Sequence, residues 1–470
     1  SSPFYCLSSI GRRFLAALSE APGIAVRAGS CEHFLTDMAP GLANASTTSS
    51  PTSPRSPSTP RNQLTLANRY KIADTAILGR GSNATVYKGL DTMTCKNVAV
   101  KMYNDRDSMN ADAFTKSVEV LQVLGVGSAR VSARARRSRA GSFSCSLVAQ
   151  DLRQQLSAIS EEEEKRRNDM DDDGMLTRLF DNMDLRRCYV QLLDYSRDYE
   201  QEPGLDVECD KFWMVMELGD GTLEDFLADC SDRNETLTVS DLREVHWALV
   251  SIVWGLHAAG FVHMDIKPSN IMRFRSGKSV DWKLVDLDGA RPSGKSVLID
   301  ECSWTPLYMP PELARAGLLS DVQGDSMTVS RLMDVWSIGL CSLEAIFLTP
   351  VLGPWFQQWQ AETNSTAKFY RWLGDYDTDS IMSGDMHDMI GDISEDLCDL
   401  MKGMLYKDPD KRYNISQCLT HPWFEPIRSS LVKKISSAER GYLPFASRRR
   451  SSTRLPSATV KTSSQVCVVS

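Results

Sequence analysis

Twelve cysteines are spread over 470 residues with no C-x-x-C pair among them, a usage that fits a reduced, intracellular chain better than a disulfide-stapled secreted one. No secretory signal opens the chain and no apolar run is long enough for a transmembrane span, so a cytoplasmic or nuclear location is expected. Arg12, Arg13 and their apolar neighbours imitate a transit peptide, but a frayed tail is the preferred reading. Positive charge is not in excess: the formal net charge of −8 speaks against a generally nucleic-acid-binding surface. No internal repeat or heptad run points to a partner, and oligomeric state stays open. His246 and His257 have no partners at metal-ligand spacing and are read as structural.

What is present bounds the fold. Hydrophobic residues at 42% and charged residues at 24% sit near globular averages, enough for one large two-lobed domain with tails or for two or three small domains. Residues 1–63 are expected to be disordered, because from Ser46 to Arg61 the chain holds Ser, Thr and Pro with almost nothing to bury. Ser50, Ser53, Ser56 and Thr59 each precede a proline there; a plain linker is preferred over sites for a proline-directed kinase.

Tyr70 to Leu78 and Thr85 to Leu90 read as strands around Gly79-Arg80-Gly81-Ser82-Asn83-Ala84, whose glycines let backbone amides approach anionic oxygens. Val98 to Lys101 reads as a third strand, and Asp112 to Leu124 as a helix carrying Glu119. Tyr189 to Leu192 and Phe212 to Leu218 look like two further strands. Leu242 to Gly260 is a long apolar helix leading into His263-Met264-Asp265-Ile266-Lys267-Pro268-Ser269-Asn270, and Asp286 follows sixteen residues later. Ser276-Gly277 marks a hairpin turn on the way.

That octapeptide is similar to the H-x-D-x-K-x-x-N loop of eukaryotic protein kinases, and the other motifs fall in the same order. Gly79 and Gly81 resemble the glycine loop, with Ala84 in place of its third glycine. Val98-Ala99-Val100-Lys101 resembles the strand lysine segment, and Glu119 stands where the family's helix glutamate pairs with that lysine. Asp286-Leu287-Asp288 resembles D-F-G with Asp for Gly. Asp288, which precedes Gly289, is the alternative metal ligand, though the flanking residues favour Asp286. Pro310-Pro311-Glu312, Asp334 to Gly339, and Asp408 to Arg412 resemble the family's later signatures, with Glu312 and Arg412 as an ion pair. The Wee-type kinases show a similar H-M-D-I-K-P form, and the subfamily is not assigned.

The resemblance implies an α+β, bilobal fold with a small β-rich N-lobe and a larger helical C-lobe, spanning 64–430. It implies ATP and Mg²⁺ as cofactors and in-line transfer of the γ-phosphoryl group to Ser or Thr hydroxyls of protein substrates. Asp265 would be the base, Lys267 and Lys101 would offset phosphate charge, Glu119 would hold Lys101, and Asn270 and Asp286 would bind the metal. Leu78, Gly79, Gly81, Val86, Ala99, Lys101, Met216 and Leu218 would surround the nucleotide. Thr305 before Pro306, with Lys267, looks like Ser/Thr rather than Tyr kinases. Met264 replaces the usual arginine, so activation-segment phosphorylation is not expected to be the main switch. The alternative, a pseudokinase acting as a nucleotide-binding scaffold or interaction module, would explain Ala84, Met264 and Asp288 together.

Two segments depart from the family. About residues 125–186 form an insert, roughly sixty residues long, where a short connection suffices. It runs from Arg130, Arg134, Arg136, Arg137 and Arg139 to Glu161–Glu164, a solvated pattern in which Ser138 and Ser142 are candidate phosphosites or part of a docking patch. The tail, 431–470, is basic and expected to be disordered. Arg448, Arg449, Arg450, Arg454 and Lys461 precede Cys467-Val468-Val469-Ser470, a C-a-a-X form that suggests farnesylation and peripheral membrane contact, against a chance terminal cysteine.

Overall fold

A computed structural model describes residues 63–81, 83–104, 107–127, 184–277, 279–299, 302, 304–319, 326–363, 366–376, 381–382 and 384–441. The Ser/Thr-Pro sites, Ser138, Ser142 and Cys467 lie outside the described residues. The amino-terminal lobe is an antiparallel sheet of β1 (Gln63–Leu66), β2 (Tyr70–Arg80), β3 (Ala84–Asp91) and β4 (Lys96–Tyr103), followed by helix α1 (Ser108–Val123) and strands β5 (Leu192–Tyr195) and β6 (Trp213–Glu217). Its spatial order is β1-β2-β3-β4-β6-β5.

β4 is buried on both faces, and the period-2 pleat sorts its side chains. Val98, Val100 and Met102 pack with Leu66, Tyr70, Ile72, Trp213 and Val215 on one side. Ala99, Lys101 and Tyr103 therefore share the other, and Tyr103 meets Phe114 of α1 there, ring edge to face at 5.8 Å between centroids. Across the ladder Ala99 pairs with Met216 and Lys101 with Met214, so the sheet itself brings the expected lysine and apolar walls to one face. α1 opens on Asp107, whose carboxylate accepts the Asn110 amide at 2.8 Å.

Tyr189–Leu192 is not a strand: only Leu192 belongs to β5, and Tyr189 makes a lone parallel bridge to Leu284. Cys188, Tyr189 and Val190 are buried three in a row instead of alternating, and the Tyr189 hydroxyl donates to the Ile252 carbonyl. This is core packing, not a half-exposed pleat.

The larger lobe begins with α2 (Leu223–Asp232) and α3 (Val239–Ala258), each opened by a capping box, Thr222 with Asp225 and Thr238 with Asp241. β7 (Phe261–Val262) leads to the hairpin β8 (Ile271–Ser276) and β9 (Ser279–Leu284), whose turn holds Gly277 at φ 62°. That is the left-handed region in which glycine carries no steric cost. β10 (Arg291–Pro292), β11 (Ser296–Leu298), α4 (Pro311–Leu319) and β12 (Ser326–Thr328) precede α5 (Leu332–Phe347). Every residue of α5 from Met333 onward is buried, as a helix apolar on all sides must be. α6 (Gly353–Thr363), α7 (Ala367–Leu373), α8 (Gly384–Gly391), α9 (Glu395–Met404), α10 (Ile415–Thr420) and α11 (Glu425–Gly441) complete the described elements. Ile427–Ser470 is a second unit, described as helix through Gly441, so residues 431–441 continue the helix that begins at Glu425 and do not belong to the expected disordered tail. Among the described residues no helix is long and apolar enough to cross a membrane.

Candidate active site

The segment His263–Asn270 is held from beneath by a buried carboxylate. Asp334, in the first turn of α5, accepts the amides of His263 at 2.8 Å and Met264 at 3.0 Å, and the His257 ring at 3.0 Å. Met264 sits at φ 74° and is 4% exposed, packed with Val262, Val329 and Met333. Where the kinase resemblance puts an arginine, this chain thus has an apolar anchor.

Above that anchor Asp265, Lys267 and Thr305 form a closed triangle. Lys267 Nζ lies 2.8 Å from Asp265 Oδ2 and donates to Thr305 Oγ1 at 2.8 Å, while Thr305 Oγ1 donates to Asp265 Oδ1 at 2.8 Å. Both charged side chains keep solvent access, at 17% for Asp265 and 24% for Lys267. Charge-assisted bonds of this kind fix orientation as well as charge.

Asn270 and Asp286 become neighbours through the β8–β9 hairpin. Its last pair is Ile271 with Leu284, and one step beyond it the Val285 amide donates to the Asn270 carbonyl at 3.0 Å. The His263 ring bonds the Asp286 carbonyl, tying the two segments together a second time. Asn270 Nδ2 donates to the Asp265 carbonyl at 3.0 Å, which commits its N–H end and leaves its oxygen to take a cation. With the Asp286 carboxylate, 44% exposed, this is the hard-oxygen donor set that Mg²⁺ prefers.

Lys101 reaches this segment from the opposite lobe. Its Nζ lies 3.0 Å from Asp286 Oδ1, across a sequence separation of 185 residues, and 2.8 Å from Asp288 Oδ1. Burial alone would lower the lysine's pKa, but the two carboxylates outweigh it and hold the ammonium well above its ordinary value. Burial likewise raises Asp286, yet Lys101's charge and hydrogen bond, with the Asp288 amide, hold its carboxyl below the usual carboxylate range.

Glu119 does not join them. Among the described residues it makes no ion pair; it is half-buried, and desolvation raises its pKa. The reason is helix phase: Ser117, two positions earlier and about 200° around the axis, is the residue of α1 that faces the cluster. Ser117 Oγ and Tyr103 OH both donate to Asp288 Oδ1, at 2.7 and 2.9 Å. The expected lysine–glutamate pair is replaced by a lysine–aspartate pair whose acid comes from the Asp-Leu-Asp segment. Neither Tyr103 nor Ser117 carries a sequence signal for this; the Asp at 288 is the one departure that marks it.

Three of the expected nucleotide walls share the Lys101 face of the sheet, where Val86 pairs with Lys101 and Ala99 with Met216. Ala99 and Met216 are buried, Val86 and Leu218 half-buried, and Leu78 is 50% exposed. Nothing lies within 4 Å of where a Cβ on Gly79 would stand, and the Gly81 amide donates to the Ala84 carbonyl at 2.8 Å. The Ala84 methyl is buried in the core, so the substitution for glycine does not fill the space over the loop. Arg412 grips Glu312 bidentately, at 2.8 and 2.9 Å, below the segment that ends the site.

The protein kinase domain family profile matches residues 142–424, more than half of the chain, and the chain belongs to that family. The matched stretch begins after α1, but β4 is joined to β6 inside it by five paired residues. The chain is 29% identical over 194 residues to serine/threonine-protein kinase 17A of Oryctolagus cuniculus, covering 41% of this chain and 43% of that protein. It is 25% identical over 391 residues to serine/threonine-protein kinase RAD53 of Saccharomyces cerevisiae, covering 82% of this chain and 37% of that protein. It is 28% identical over 187 residues to smooth-muscle myosin light chain kinase of Gallus gallus, covering 39% of this chain and 8% of that protein. The chain thus spans less than half the length of these relatives. A solved chain of the CAK complex from Chaetomium thermophilum, bound to ATP-gamma-S, aligns at TM-score 0.47 and 18% identity, over 76% of this chain and 91% of that one.

Proposed function

We propose that this chain is an active, Mg²⁺-dependent protein serine/threonine kinase that transfers the γ-phosphoryl group of ATP to protein hydroxyls. The observation that carries this is the meeting of Lys101 with Asp286 at 3.0 Å beside the Asp265–Lys267–Thr305 triangle. Bound Mg²⁺ would neutralise charge on the phosphate oxygens, held by Asn270 and Asp286. Asp265 orients the substrate hydroxyl and accepts its proton. Lys267 and Lys101 offset charge on the transferred group, and Thr305 keeps Asp265 and Lys267 in register. Met216, Ala99 and Val86 supply apolar walls for the base, with Leu78 and Leu218 at its edge. Met264, anchored by packing, leaves no arginine at its position to receive an activation-segment phosphate, which supports a kinase not switched on that way.

The test is transfer from Mg-ATP to a generic protein substrate by the full chain and by Asp265→Asn. Signal above background in the wild type alone is expected; equal background signals would end the catalytic assignment. Retained nucleotide binding without transfer would leave the scaffold alternative. The limits 64–430 for the kinase domain, the phosphosites Ser138 and Ser142, a cytoplasmic or nuclear location, and Cys467 as a prenyl anchor belong to the same proposal. An unchanged membrane fraction for Cys467→Ser would remove the last.

A further inference from the structure

Asp286 and Asp288 stand two residues apart on one segment and differ in what they can reach. The Asp286 side chain is 44% exposed, whereas that of Asp288 is 14% exposed and sunk between β4 and α1. Leu287 between them is buried in the core, which pins the segment. The backbone of Asp288 is held further: its amide donates to Asp286 Oδ1 at 3.3 Å, its carbonyl accepts from Arg291 Nη1 at 3.2 Å, and the Ala290 amide closes a turn onto the Leu287 carbonyl at 3.1 Å. One oxygen, Asp288 Oδ1, then collects Lys101 Nζ at 2.8 Å, Tyr103 OH at 2.9 Å and Ser117 Oγ at 2.7 Å. Two donors come from the strand and one from the helix.

We propose that Asp288 is a positioning residue that holds Lys101 for the nucleotide in place of a helix glutamate, and that it fastens α1 and β4 to the metal-binding segment so that the three move as one unit. This rests on the nucleotide-dependent function proposed above. The exposed carboxylate is the one a cation from solvent can reach; the buried one is committed to its protein donors. A buried carboxylate with three donors is stable where an unpartnered one would be costly. Lys101 therefore sits between two carboxylates with separate duties. Glu119, on another face of α1, has none of these contacts.

The alternative to an anchor is a brake, in which Asp288 draws Lys101 away from phosphate. Three variants separate them: Asp288→Gly, Asp288→Asn, which keeps the shape and loses the charge, and Asp288→Gly with Ser117→Glu, which returns a carboxylate from the helix residue that faces the cluster. Steady-state ATP KM and kcat are measured on the full chain, with the dissociation constant of a fluorescent ATP analogue and the thermal midpoint of each variant. An anchor raises ATP KM and the analogue's dissociation constant roughly tenfold in both single variants. The double variant restores both to within about threefold, a rescue that a merely structural role does not give. A rise in kcat/KM for Asp288→Gly, or analogue binding within twofold of wild type in both single variants, overturns the proposal. A wild type that binds the analogue but transfers no phosphate removes the catalytic function; the same weakening and rescue of binding would still establish the anchor. A wild type that binds no nucleotide overturns both.

Discussion

Asp334→Asn tests the tie between the core and the His263–Asn270 loop. Three donors converge on the two carboxylate oxygens: Oδ2 takes the His263 amide at 2.8 Å and the His257 ring at 3.0 Å, and Oδ1 takes the Met264 amide at 3.0 Å. An asparagine displaces fewest bonds by turning its NH₂ toward the Oδ1 position, which leaves the Met264 N–H facing another donor. An orphaned buried N–H costs about 1–3 kcal/mol. Met264 is already at φ 74°, a conformation that costs a side chain about 1–3 kcal/mol and that the lost bond helps to hold. The backbone at 264 is then free to relax, and Asp265, the next residue, turns away from Lys267 and Thr305. At about 1.4 kcal/mol per factor of ten, kcat should fall roughly 10- to 100-fold. ATP KM should change less than about threefold, because none of the Lys101 or Asp286 side-chain contacts passes through Asp334. Initial rates from Mg-ATP on a generic protein substrate, with thermal unfolding as a control for folding, decide it. A folded variant with kcat within twofold of wild type would refute the idea that this carboxylate sets the loop's geometry.

Arg412→Met should lower stability by about 3–5 kcal/mol, because it leaves Glu312, 12% exposed, without its bidentate partner and removes the bonds that Arg412 donates to the carbonyls of Leu332, Tyr406 and Lys407. Denaturant unfolding should show the loss, and adding Glu312→Gln should recover part of it. His246 is buried beside the Ser342 carbonyl, and burial lowers its pKa to about 4. Its folded value lies below its unfolded one, so the unfolded chain takes up the proton first and stability falls as pH drops from about 6.5 toward 4. Between pH 7 and 5 the loss from this residue is about 2 kcal/mol. His246→Gln should show a correspondingly shallower acid decline in urea titrations, and an identical decline would refute the assignment.

Much of the site was legible because its chemistry is local. His263 to Asn270 needs its side chains at fixed short offsets, and Ser276-Gly277 needs a turn, so both appear in the string of residues; Glu312 and Arg412 appeared through the family pattern. Other features depended on packing. Nothing in the order of residues says that Tyr189 is buried between two equally buried neighbours, which is why it forms no strand. The spacing from Lys101 singled out Glu119, yet the phase of α1 turned Ser117 inward instead.

What the chain alone determined, then, is its membership of the kinase pattern, the polar loop His263–Asn270 and the pairing of an apolar strand with a lysine, since each follows from residues close in sequence or alternating on one pleat. The tertiary structure decided which acid holds that lysine. Asp288 and Lys101 are neighbours only because two lobes close on one another and a helix presents one face and not another, and that contact has no counterpart in the local rules of the backbone.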